Sequence, residues 1–557
     1  MSTIRNYKRD EINKKNEKFS ALRTTIETVF YGNNVIYVRN LAQAYELAKN
    51  SSGTVVTGMD VYEPEKLDLP SDAKVLLYND GEVTGRYAKA RVILNNRDTD
   101  KEKTFSALAR EAAFYARDKK LYYAQAYVGL HEDFMLKAHL LIQEGYENTL
   151  YNWLLNFQAV NEKYEEMYRN SKEWNETDIY VLSLPDYLPK EHEKGLALFE
   201  PSHNCLLLCG MRYFGEHKKG TLTLSWEVAN RNGYVSCHGG LKRYNLEKEA
   251  YTIAFFGLSG SGKSTLTHDK HEDKFDISIL HDDAFIISES DLSTVALEPS
   301  YFDKTQDYPA GHEANKYLLS IQNCGATLDE NNKIVPVTED IRNGNGRAIK
   351  SHLWTTNRIN KVDDRLNAIV WLMRDSSIPP IIKIKNPVVA SVFGAVLATK
   401  RTTAERLDNS AEMEKLVIVP YANPFRTYAL SEDYEKFKNL FDKKEINCYI
   451  INTGSYMDKK IPKEITLGIL EKLVEDSLDF KPLCCFDEID YAEVEGFEVD
   501  CDNRNFDKMW KNALVYRMEY VKSLEGSPDE LPTEVMKELE KLKSEVEEHA
   551  RLATLKK

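Results

Sequence analysis

The sequence predicts an α/β protein with more than one domain. The chain has 557 residues, enough for two to four domains. It is 42% hydrophobic and 29% charged, which is typical of globular proteins. Around residue 257 an apolar run, a glycine-rich loop and a helix-like segment follow one another, which is the strand–loop–helix order of α/β proteins.

The first half of the chain predicts both helices and strands. Residues 1–50 are highly charged and predict amphipathic helices, whereas residues 54–94 predict short strands between turns. Residues 103–173 carry spaced Leu, Tyr, Phe and Trp and predict helices. Further strands are predicted at residues 179–184, 205–208 and 221–226.

The second half predicts strands and turns at residues 234–328, a mixed region at residues 369–450 and a helix at residues 532–557. Apolar residues recur in that last helix at Val535, Leu539, Leu542 and Val546. We expect it to pack on the body of the protein rather than to serve as a partner-binding arm.

These patterns predict three segments. Residues 1–234 form an N-terminal domain, residues 235–530 a second domain that contains the glycine-rich loop, and residues 531–557 a C-terminal helical extension.

The charge and the apolar pattern exclude several classes of protein. A net charge of −14 argues against a general binder of nucleic acid or anionic membranes. The first thirty residues contain no apolar core of a secretory signal, and the longest apolar stretch, residues 388–398, is too short to span a bilayer. The eight cysteines show no C-x-x-C spacing, so we expect reduced thiols and a cytoplasmic protein.

The glycine-rich loop predicts a phosphate-binding site. Residues 257–265 fit the pattern G-x-x-x-x-G-K-[ST] between a predicted strand at residues 253–256 and a helix start. In such loops, backbone N–H groups and the helix N-terminus face phosphate oxygens. The lysine reaches the outer phosphates and the hydroxyl ligates a cation. The predicted nucleotide-binding residues here are Gly257, Leu258, Ser259, Gly260, Ser261, Gly262, Lys263, Ser264 and Thr265.

Two acids follow the next apolar run. Residues 277–280 predict a short strand, and Asp282 and Asp283 come directly after His281. Phosphate-loop proteins place a metal-binding carboxylate at such a strand end. The sequence favours a metal role for one of the two acids over an ordinary helix cap.

Other candidates are weak when each is taken alone. Lys218 and Lys219 precede a predicted strand, and such lysine pairs usually lie at the surface. His238 is a single histidine, and a single histidine is more often structural. Arg86 and Arg342 could each be a surface arginine in a turn.

Taken together, these segments resemble the ATP-dependent phosphoenolpyruvate carboxykinases. That family carries T-G-R, Y-x-G-E-x-K-K-G, a histidine nineteen residues later, G-L-S-G-T-G-K-T-T, a strand into D-D, and T-E-N-T-R. The matching segments are residues 84–86, 213–220, His238, residues 257–265, 282–283 and 338–342, in the same order. Later segments are similar too, at residues 379–383, 403–406 and 451–454, with Lys460 and Thr466 after them.

The resemblance implies a fold and a reaction. The fold has two α/β domains, one of them a mononucleotide-binding phosphate-loop domain, with the active site in the cleft between them. The reaction converts oxaloacetate and ATP into phosphoenolpyruvate, CO₂ and ADP. Oxaloacetate or phosphoenolpyruvate and CO₂ are the expected partners. No nucleic acid or membrane is expected, and a monomer is favoured.

The resemblance also implies a role for each matching residue. Lys219, His238 and Asp283 would bind Mn²⁺, and a lysine can do so only when its amine is neutral. Mg²⁺ would accompany ATP and contact Ser264. The remaining implied residues bind substrate or nucleotide: Arg86, Tyr213 and Gly215 on the oxaloacetate side, Lys218 and Arg342 between the substrate and the transferred phosphoryl group, Lys263 on the phosphates, and Lys460 and Thr466 on the adenine side.

The chain departs from the family pattern at several positions. His281 and Ala284 flank the paired acids where the family has Gly and Glu, and Glu298 is followed by Pro-Ser where the family has Gly-Gly. Lys460 stands where the family has an arginine. The lid after residue 406 lacks the family's Thr- and Pro-rich stretch, and a changed lid could alter how well the enolate is protected from water.

Two alternatives stay open from the sequence. One is a phosphate-loop kinase of a protein or small molecule, which would have no use for Lys219 together with His238. The other is a non-catalytic nucleotide-binding relative of the enzyme. The altered lid is the observation that favours this alternative. The sequence leaves open the phosphoryl donor and the physiological direction.

Overall fold

The computed structural model describes residues 8–11, 20–79, 87–94, 99–258, 260–339, 345–400 and 416–555. Contacts within these residues divide them into two compact units. The first unit holds the described residues up to 232 and residues 295–356, and the second holds residues 233–294 and those from 357 onward. The three predicted segments stay a prediction.

Both units mix helices and strands, so the α/β prediction is confirmed. The α-helices are α1 (Ala21–Val29), α2 (Leu41–Lys49), α3 (Thr99–Ala116), α4 (Glu147–Asn156), α5 (Glu162–Asn170), α6 (Phe214–Arg231), α7 (Lys263–His268), α8 (Pro387–Ala395), α9 (Leu430–Lys443), α10 (Lys463–Val474), α11 (Arg504–Ser523) and α12 (Thr533–Leu555). Short 3-10 helices lie at Pro64–Leu67, Ala88–Ala90, Pro201–His203, His271–Asp273, Thr305–Asp307, Glu313–Tyr317, His352–Trp354 and Pro420–Ala422.

The strands belong to several sheets. In chain order they are β1 (Val35–Tyr37), β2 (Thr54–Asp60), β3 (Lys74–Tyr78), β4 (Arg91–Ile93), β5 (Leu121–His131), β6 (Phe134–Gln143), β7 (Gln158–Ala159), β8 (Ile179–Leu184), β9 (Leu196–Glu200), β10 (Cys205–Cys209), β11 (Tyr234–Tyr244), β12 (Tyr251–Phe256), β13 (Ile277–His281), β14 (Ala284–Ser288), β15 (Thr294–Ala296), β16 (Tyr301–Lys304), β17 (Leu318–Gln322), β18 (Gly325–Leu328), β19 (Ile334–Val337), β20 (Arg347–Lys350), β21 (Lys361–Val362), β22 (Ala368–Met373), β23 (Ile381–Ile384), β24 (Ala398–Lys400), β25 (Leu416–Ile418), β26 (Asn447–Asn452), β27 (Ser455–Tyr456), β28 (Lys459–Lys460), β29 (Phe480–Pro482) and β30 (Ile489–Ala492).

The first unit contains two main sheets. One has the strand order β1-β5-β6-β8-β10-β9-β4, and the other has the order β16-β20-β17-β3-β2. The apolar side chains of α1 and α3 pack on the first sheet, and their core includes Leu22, Ile26, Ala112, Leu182 and Leu207. This burial accounts for the amphipathic pattern that predicted helices near the N-terminus.

The second unit is built on a mixed sheet whose order includes β14-β11-β12-β22-β26-β23-β30-β29, and β13 also pairs with β11. Strands β12, β22 and β26 are parallel neighbours at its centre. All four residues from Ile253 to Phe256 in β12 are fully buried. A strand covered on both faces has such a continuous apolar run, which is why the sequence predicted it.

Two predicted elements are wrong. Residues 121–143 were expected to be helical but form the antiparallel hairpin of β5 and β6. Residues 221–226 were expected to form a strand but lie inside α6, which also carries Lys218 and Lys219. Nearly all of α6 is buried, so it lacks the one-sided apolar pattern that identifies a helix in a sequence.

The expectation of reduced thiols is wrong for one pair of cysteines. Cys484 and Cys501 form a disulfide across a sequence separation of 17 residues. Spacing alone did not indicate this pair, because it is the tertiary fold that brings the two Cα atoms to 5.3 Å from each other. The other six cysteines are free thiols, and all of them except Cys485 are buried.

The predicted C-terminal helix is present as α12. Its residues Val535, Leu539, Leu542 and Val546 are buried, and the helix packs against α11 and α8. Among the described residues, no helix combines the length and apolar character needed to cross a membrane.

Candidate functional site

The phosphate-loop sequence lies between β12 and α7, as predicted. Helix α7 begins at Lys263 and has only six residues, so its dipole is short. Lys263 is buried, whereas Ser264 and Thr265 are exposed. Ser259 lies outside the described residues.

Gly257 opens the loop at a point where a side chain would not fit. A Cβ atom there would lie 2.3 Å from Ser261 Oγ and 2.9 Å from Leu372 Cβ. Ser261 is itself held by a hydrogen bond from its backbone N–H to the Leu258 carbonyl, at 2.9 Å. The tight turn of the loop therefore depends on glycine at position 257.

The strand register brings the predicted histidine to the loop. In the antiparallel pair of β11 and β12, Gly239 lies opposite Phe256, so His238 is next to the start of the loop. In the pair of β11 and β14, His238 lies opposite Ala284. The turn between β13 and β14, which carries Asp282 and Asp283, therefore also meets His238.

The imidazole of His238 faces the carboxylate of Asp283. Its Nε2 lies 2.9 Å from Asp283 Oδ1. Its Nδ1 lies 2.6 Å from the Ala422 carbonyl oxygen, which can only accept a hydrogen bond, so Nδ1 carries a proton. The ring also packs edge-on against Phe425, with the ring centroids 5.4 Å apart.

This arrangement leaves Nε2 as the nitrogen through which a neutral imidazole could bind a metal ion. With Nδ1 protonated, a neutral ring would point its Nε2 lone pair at a carboxylate oxygen, which is unfavourable unless a proton or a metal ion neutralises the pair. Two neighbouring ligands of an octahedral ion bound at about 2.1 Å lie about 3 Å apart. The donor atoms and their separation thus fit a divalent cation.

Lys263 approaches the same carboxylate. Its Nζ lies 3.6 Å from Asp283 Oδ1, which is within ion-pair range but too long for a strong hydrogen bond. Lys263, His238 and Asp283 therefore form one compact cluster within the second unit.

Asp282 points to a different set of histidines. Its carboxylate lies 3.4 Å from His268 Nε2 and 3.8 Å from His281 Nδ1. Burial raises the pKa of Asp282, but the neighbouring His268, with smaller contributions from His281 and Lys263, lowers that pKa overall. Of the two adjacent acids, Asp283 is the one that meets His238.

On the first unit, the lysine pair lies on α6. Lys218 Nζ lies 3.1 Å from Glu298 Oε1, and both side chains are completely buried, with 0% exposure. The other carboxylate oxygen of Glu298 accepts a hydrogen bond from Asn156 Nδ2 at 2.5 Å. Lys219 is only partly buried, and its Nζ lies 5.7 Å from the centroid of the Trp226 ring.

Tyr213 and Gly215 lie together at the start of α6. A Cβ atom at position 215 would lie 2.3 Å from a ring carbon of Tyr213 and 2.9 Å from its hydroxyl oxygen. Gly215 therefore lets the Tyr213 ring fold back over the first turn of the helix.

The two predicted adenine-side residues also lie in the second unit. Lys460 is exposed on β28, whereas Thr466 is buried on α10 and its hydroxyl donates to the Pro462 carbonyl at 3.4 Å. Arg86, Arg342 and the lid after residue 406 lie outside the described residues.

Sequence reasoning missed four contacts of this site. The Glu298 partner of Lys218, the Ala422 carbonyl on His238 and the two hydrogen bonds that His281 accepts all come from residues distant in sequence or from the backbone. Of these partners, only Glu298 could have been identified from the sequence, because it matches a glutamate of the family pattern. Among the described residues, no group of three or more His, Cys, Asp and Glu side chains could hold a metal.

The fold and these clusters define an α/β protein with a phosphate-loop sequence beside a candidate metal-binding pair. A model of the family described as phosphoenolpyruvate carboxykinase matches residues 50–495. That match covers more than half of the chain, and the chain belongs to this family.

Relatives in the same family are distant. The chain is 28% identical over 323 residues to the phosphoenolpyruvate carboxykinase (ATP) of Aeropyrum pernix, which covers 55% of this chain and 62% of the relative. It is 21% identical to the proteins of the same name from Bradyrhizobium diazoefficiens and Bacillus mycoides, over 72% of this chain and 76% of each relative. The chain thus spans less than two thirds of the Aeropyrum protein.

Proposed function

We propose that this chain is an ATP-dependent phosphoenolpyruvate carboxykinase, a lyase that converts oxaloacetate and ATP into phosphoenolpyruvate, CO₂ and ADP. Family membership supports the proposal. The observation that carries it within the structure is the cluster of His238, Asp283 and Lys263 at the end of β12. A phosphate-loop kinase would need the loop and an acid but not the histidine.

The chemistry requires concentrated positive charge. Decarboxylation breaks a carbon–carbon bond of oxaloacetate and leaves the enolate of pyruvate. The enolate oxygen then attacks the γ-phosphorus of ATP, and ADP departs. Both steps gather negative charge in a small volume, and fixed cations stabilise that charge without having to reorganise.

On the donor side, Lys263 would neutralise the β- and γ-phosphates as the bond breaks. The loop's backbone N–H groups would hold the phosphates, and Ser264, which is exposed, would meet the Mg²⁺ of the nucleotide. Lys460 and Thr466 are the proposed contacts on the adenine side.

His238, Asp283 and Lys219 would hold a divalent ion, with Mn²⁺ as the proposed metal. When bound, the metal would supply a Lewis acid that stabilises developing negative charge on the substrate oxygens. The Ala422 carbonyl fixes the tautomer and orientation of the His238 ring, so the ring needs no rearrangement to present Nε2.

On the substrate side, Tyr213, Gly215 and Arg86 would bind oxaloacetate, and Arg342 and Lys218 would lie near the transferred phosphoryl group. Lys218 is held by Glu298, which fixes the position of its ammonium group and balances its charge. No covalent enzyme intermediate is required, because positioning and charge are sufficient.

The test is a carboxykinase assay with purified protein, oxaloacetate, Mg²⁺ and Mn²⁺, run in parallel with ATP, GTP and pyrophosphate. We expect phosphoenolpyruvate with ATP. Folded protein that forms no phosphoenolpyruvate with any donor would refute the proposal, and nucleotide binding without turnover would then indicate the non-catalytic relative.

His238→Ala separates a carboxykinase from a kinase. The variant should lose its response to Mn²⁺ and about 100-fold or more in rate, as substitutions at metal sites commonly do. The matched control is His131→Ala, because His131 and Asp133 form an exposed pair in the first unit with a 3.4 Å separation. That control should keep full activity.

A further inference from the structure

Arg374 is the first residue after β22 and lies against the phosphate loop. Strand β22 is the parallel neighbour of β12, whose carboxyl end opens the loop. Ligands of α/β sheets bind at the carboxyl ends of such strands. The Nη2 of Arg374 donates a hydrogen bond to the carbonyl of Gly260, the fourth residue of the loop.

The backbone that carries Arg374 is firmly held. The carboxylate of the next residue, Asp375, is buried and lies 2.7 Å from Arg517 Nη2 on α11. It also accepts hydrogen bonds from the backbone N–H and hydroxyl of Ser377, at 3.1 and 2.7 Å. The side-chain amide of Asn452, on β26, donates to the Asp375 carbonyl at 2.8 Å. Arg374 therefore projects from a rigid base.

Within the described part of the chain, no carboxylate forms an ion pair with Arg374. There, no acidic oxygen lies within ion-pair distance of its guanidinium, and its buried Nε has no hydrogen-bond partner. Burial lowers the pKa of Arg374, yet a guanidinium stays charged at neutral pH. The buried Arg517 and the partly buried Arg426 differ in this respect, since Arg517 pairs with Asp375 and Arg426 pairs with Asp529.

A half-buried cation without an anion is unfavourable unless a ligand supplies one. Only one of the five guanidinium N–H donors is used on Gly260, which leaves donors and charge for an anion at the loop. The triphosphate of a nucleotide is the anion that a loop of this sequence would bind.

We propose that Arg374 is a second donor-side cation of this enzyme, which holds the phosphate loop through Gly260 and attracts the phosphates of the nucleoside triphosphate together with Lys263. It is a positioning residue for the donor and has no part in binding oxaloacetate. The role of the triphosphate as phosphoryl donor rests on the proposed function, whereas its binding at the loop does not.

The test compares Arg374→Lys, which keeps the charge, with Arg374→Gln, which keeps a hydrogen-bond donor but removes the charge. The Kd of Mg-ATP is measured by calorimetry, and KM is measured separately for ATP and oxaloacetate. We expect the Gln variant to weaken ATP binding by about tenfold or more, as loss of a charged hydrogen bond does. The Lys variant should stay close to the unsubstituted protein, and KM for oxaloacetate should be nearly unchanged in both.

The matched control is Arg365→Gln. Arg365 lies in the same unit and also donates from Nη2 to a backbone carbonyl, that of Lys444 at 2.5 Å, but it is exposed and does not contact the loop. This variant should bind ATP normally.

Unchanged ATP affinity in a folded Gln variant would overturn the inference. Equal losses in the Lys and Gln variants would overturn it too, because they would show that charge has no role, and so would equal changes in KM for both substrates. If the unsubstituted protein makes no phosphoenolpyruvate, the proposed function fails, but the calorimetric comparison still decides the role of Arg374.

Discussion

His281 holds the turn that presents the candidate metal carboxylate. Its ring is completely buried, and its Nδ1 accepts hydrogen bonds from the backbone N–H groups of Asp283 and Ala284, at 3.0 and 3.3 Å. The family pattern has glycine at this position. The substitution that set this chain apart in the sequence therefore has a local structural role beside the site.

Loss of the Glu298 carboxylate should destabilise the fold. Replacing Glu298 with alanine breaks its ion pair with the completely buried ammonium of Lys218. Breaking a buried pair in this way costs about 3–5 kcal/mol. We expect Glu298→Ala to lower the free energy of unfolding by that amount, measured by urea denaturation.

The control for Glu298 is the exposed pair of Lys103 and Asp100. Their side chains are 77% and 94% exposed, so Asp100→Ala should change the unfolding midpoint very little. A Glu298→Ala protein as stable as the Asp100→Ala protein would show that the buried pair does not hold the fold.

Gly257 gives a second prediction at the residue scale. In Gly257→Ala the new methyl group would meet Ser261 Oγ and Leu372 Cβ, so the loop must leave its present conformation. Overpacking of this kind costs about 1–3 kcal/mol, which corresponds to a loss of ATP affinity of about 5- to 160-fold by calorimetry.

Two further variants make the Gly257 test specific. Ser261→Gly removes the nearer contact, so the double variant should recover part of the affinity. Gly468→Ala, in α10, places a methyl group where no atom lies within 4 Å, and it should bind ATP normally. Equal affinities in the Gly257 and Gly468 variants would contradict the steric argument.

At the scale of elements, β11 organises the second unit's site. It pairs with β12, β13 and β14 and thereby brings the loop, the acidic turn and His238 to one end of the sheet. The loop, the acidic turn and His238 are separated by 17 to 45 positions in the sequence, so their convergence is a property of the strand pairing.

Helix α12 should contribute stability through its buried face. Leu539 is completely buried, whereas Leu552 on the same helix is 46% exposed. Leu539→Ala should lower the free energy of unfolding by about 2–5 kcal/mol, because it removes buried methyl groups and leaves a cavity. Leu552→Ala, the same chemical change, should have a much smaller effect in the same denaturation experiment. Similar losses in both variants would mean that α12 does not pack on the body as described.

At the scale of the whole molecule, the sequence predicted the elements whose own residues show a recognisable local pattern. The apolar run at residues 253–256 of β12, the loop after it and the two acids after β13 were all found in this way. The sequence did not predict the elements whose helical or strand conformation depends on the residues that pack or pair with them. Helix α6 is buried on all sides, and β5 and β6 are strands because they pair with each other.

The same distinction applies to the candidate site, part of which could be predicted from the sequence and part of which could not. The residue types of His238, Asp283 and Lys263 could be selected from spacing and family resemblance. The contact of His238 with the Ala422 carbonyl, and the pairing of Lys218 with Glu298, arise from the tertiary fold. Arg374 had no sequence signal, since a single arginine after a strand is common.

A buried lysine should make the stability of the whole protein depend on pH. Lys242 is completely buried on β11, where its Nζ donates to the Asp269 carbonyl at 2.6 Å and lies 3.5 Å from His271 Nε2, near the Tyr244 ring. Burial lowers the pKa of Lys242 from 10.5 to about 7, although the charge of Asp269 opposes the shift. The amine is therefore largely neutral in the folded protein above that pH.

The sign of the effect follows from proton binding. Between about pH 7 and 10.5 the unfolded chain keeps the Lys242 proton and the folded protein has lost it, so the free energy of unfolding rises with pH. This group alone would contribute at most about 1.4 kcal/mol per pH unit. Lys242→Met should remove that rise in urea denaturation series from pH 7 to 9.5, whereas replacing the exposed Lys248 with Met should preserve it. Parallel pH profiles for the unsubstituted and Lys242→Met proteins would show that Lys242 does not exchange its proton on folding.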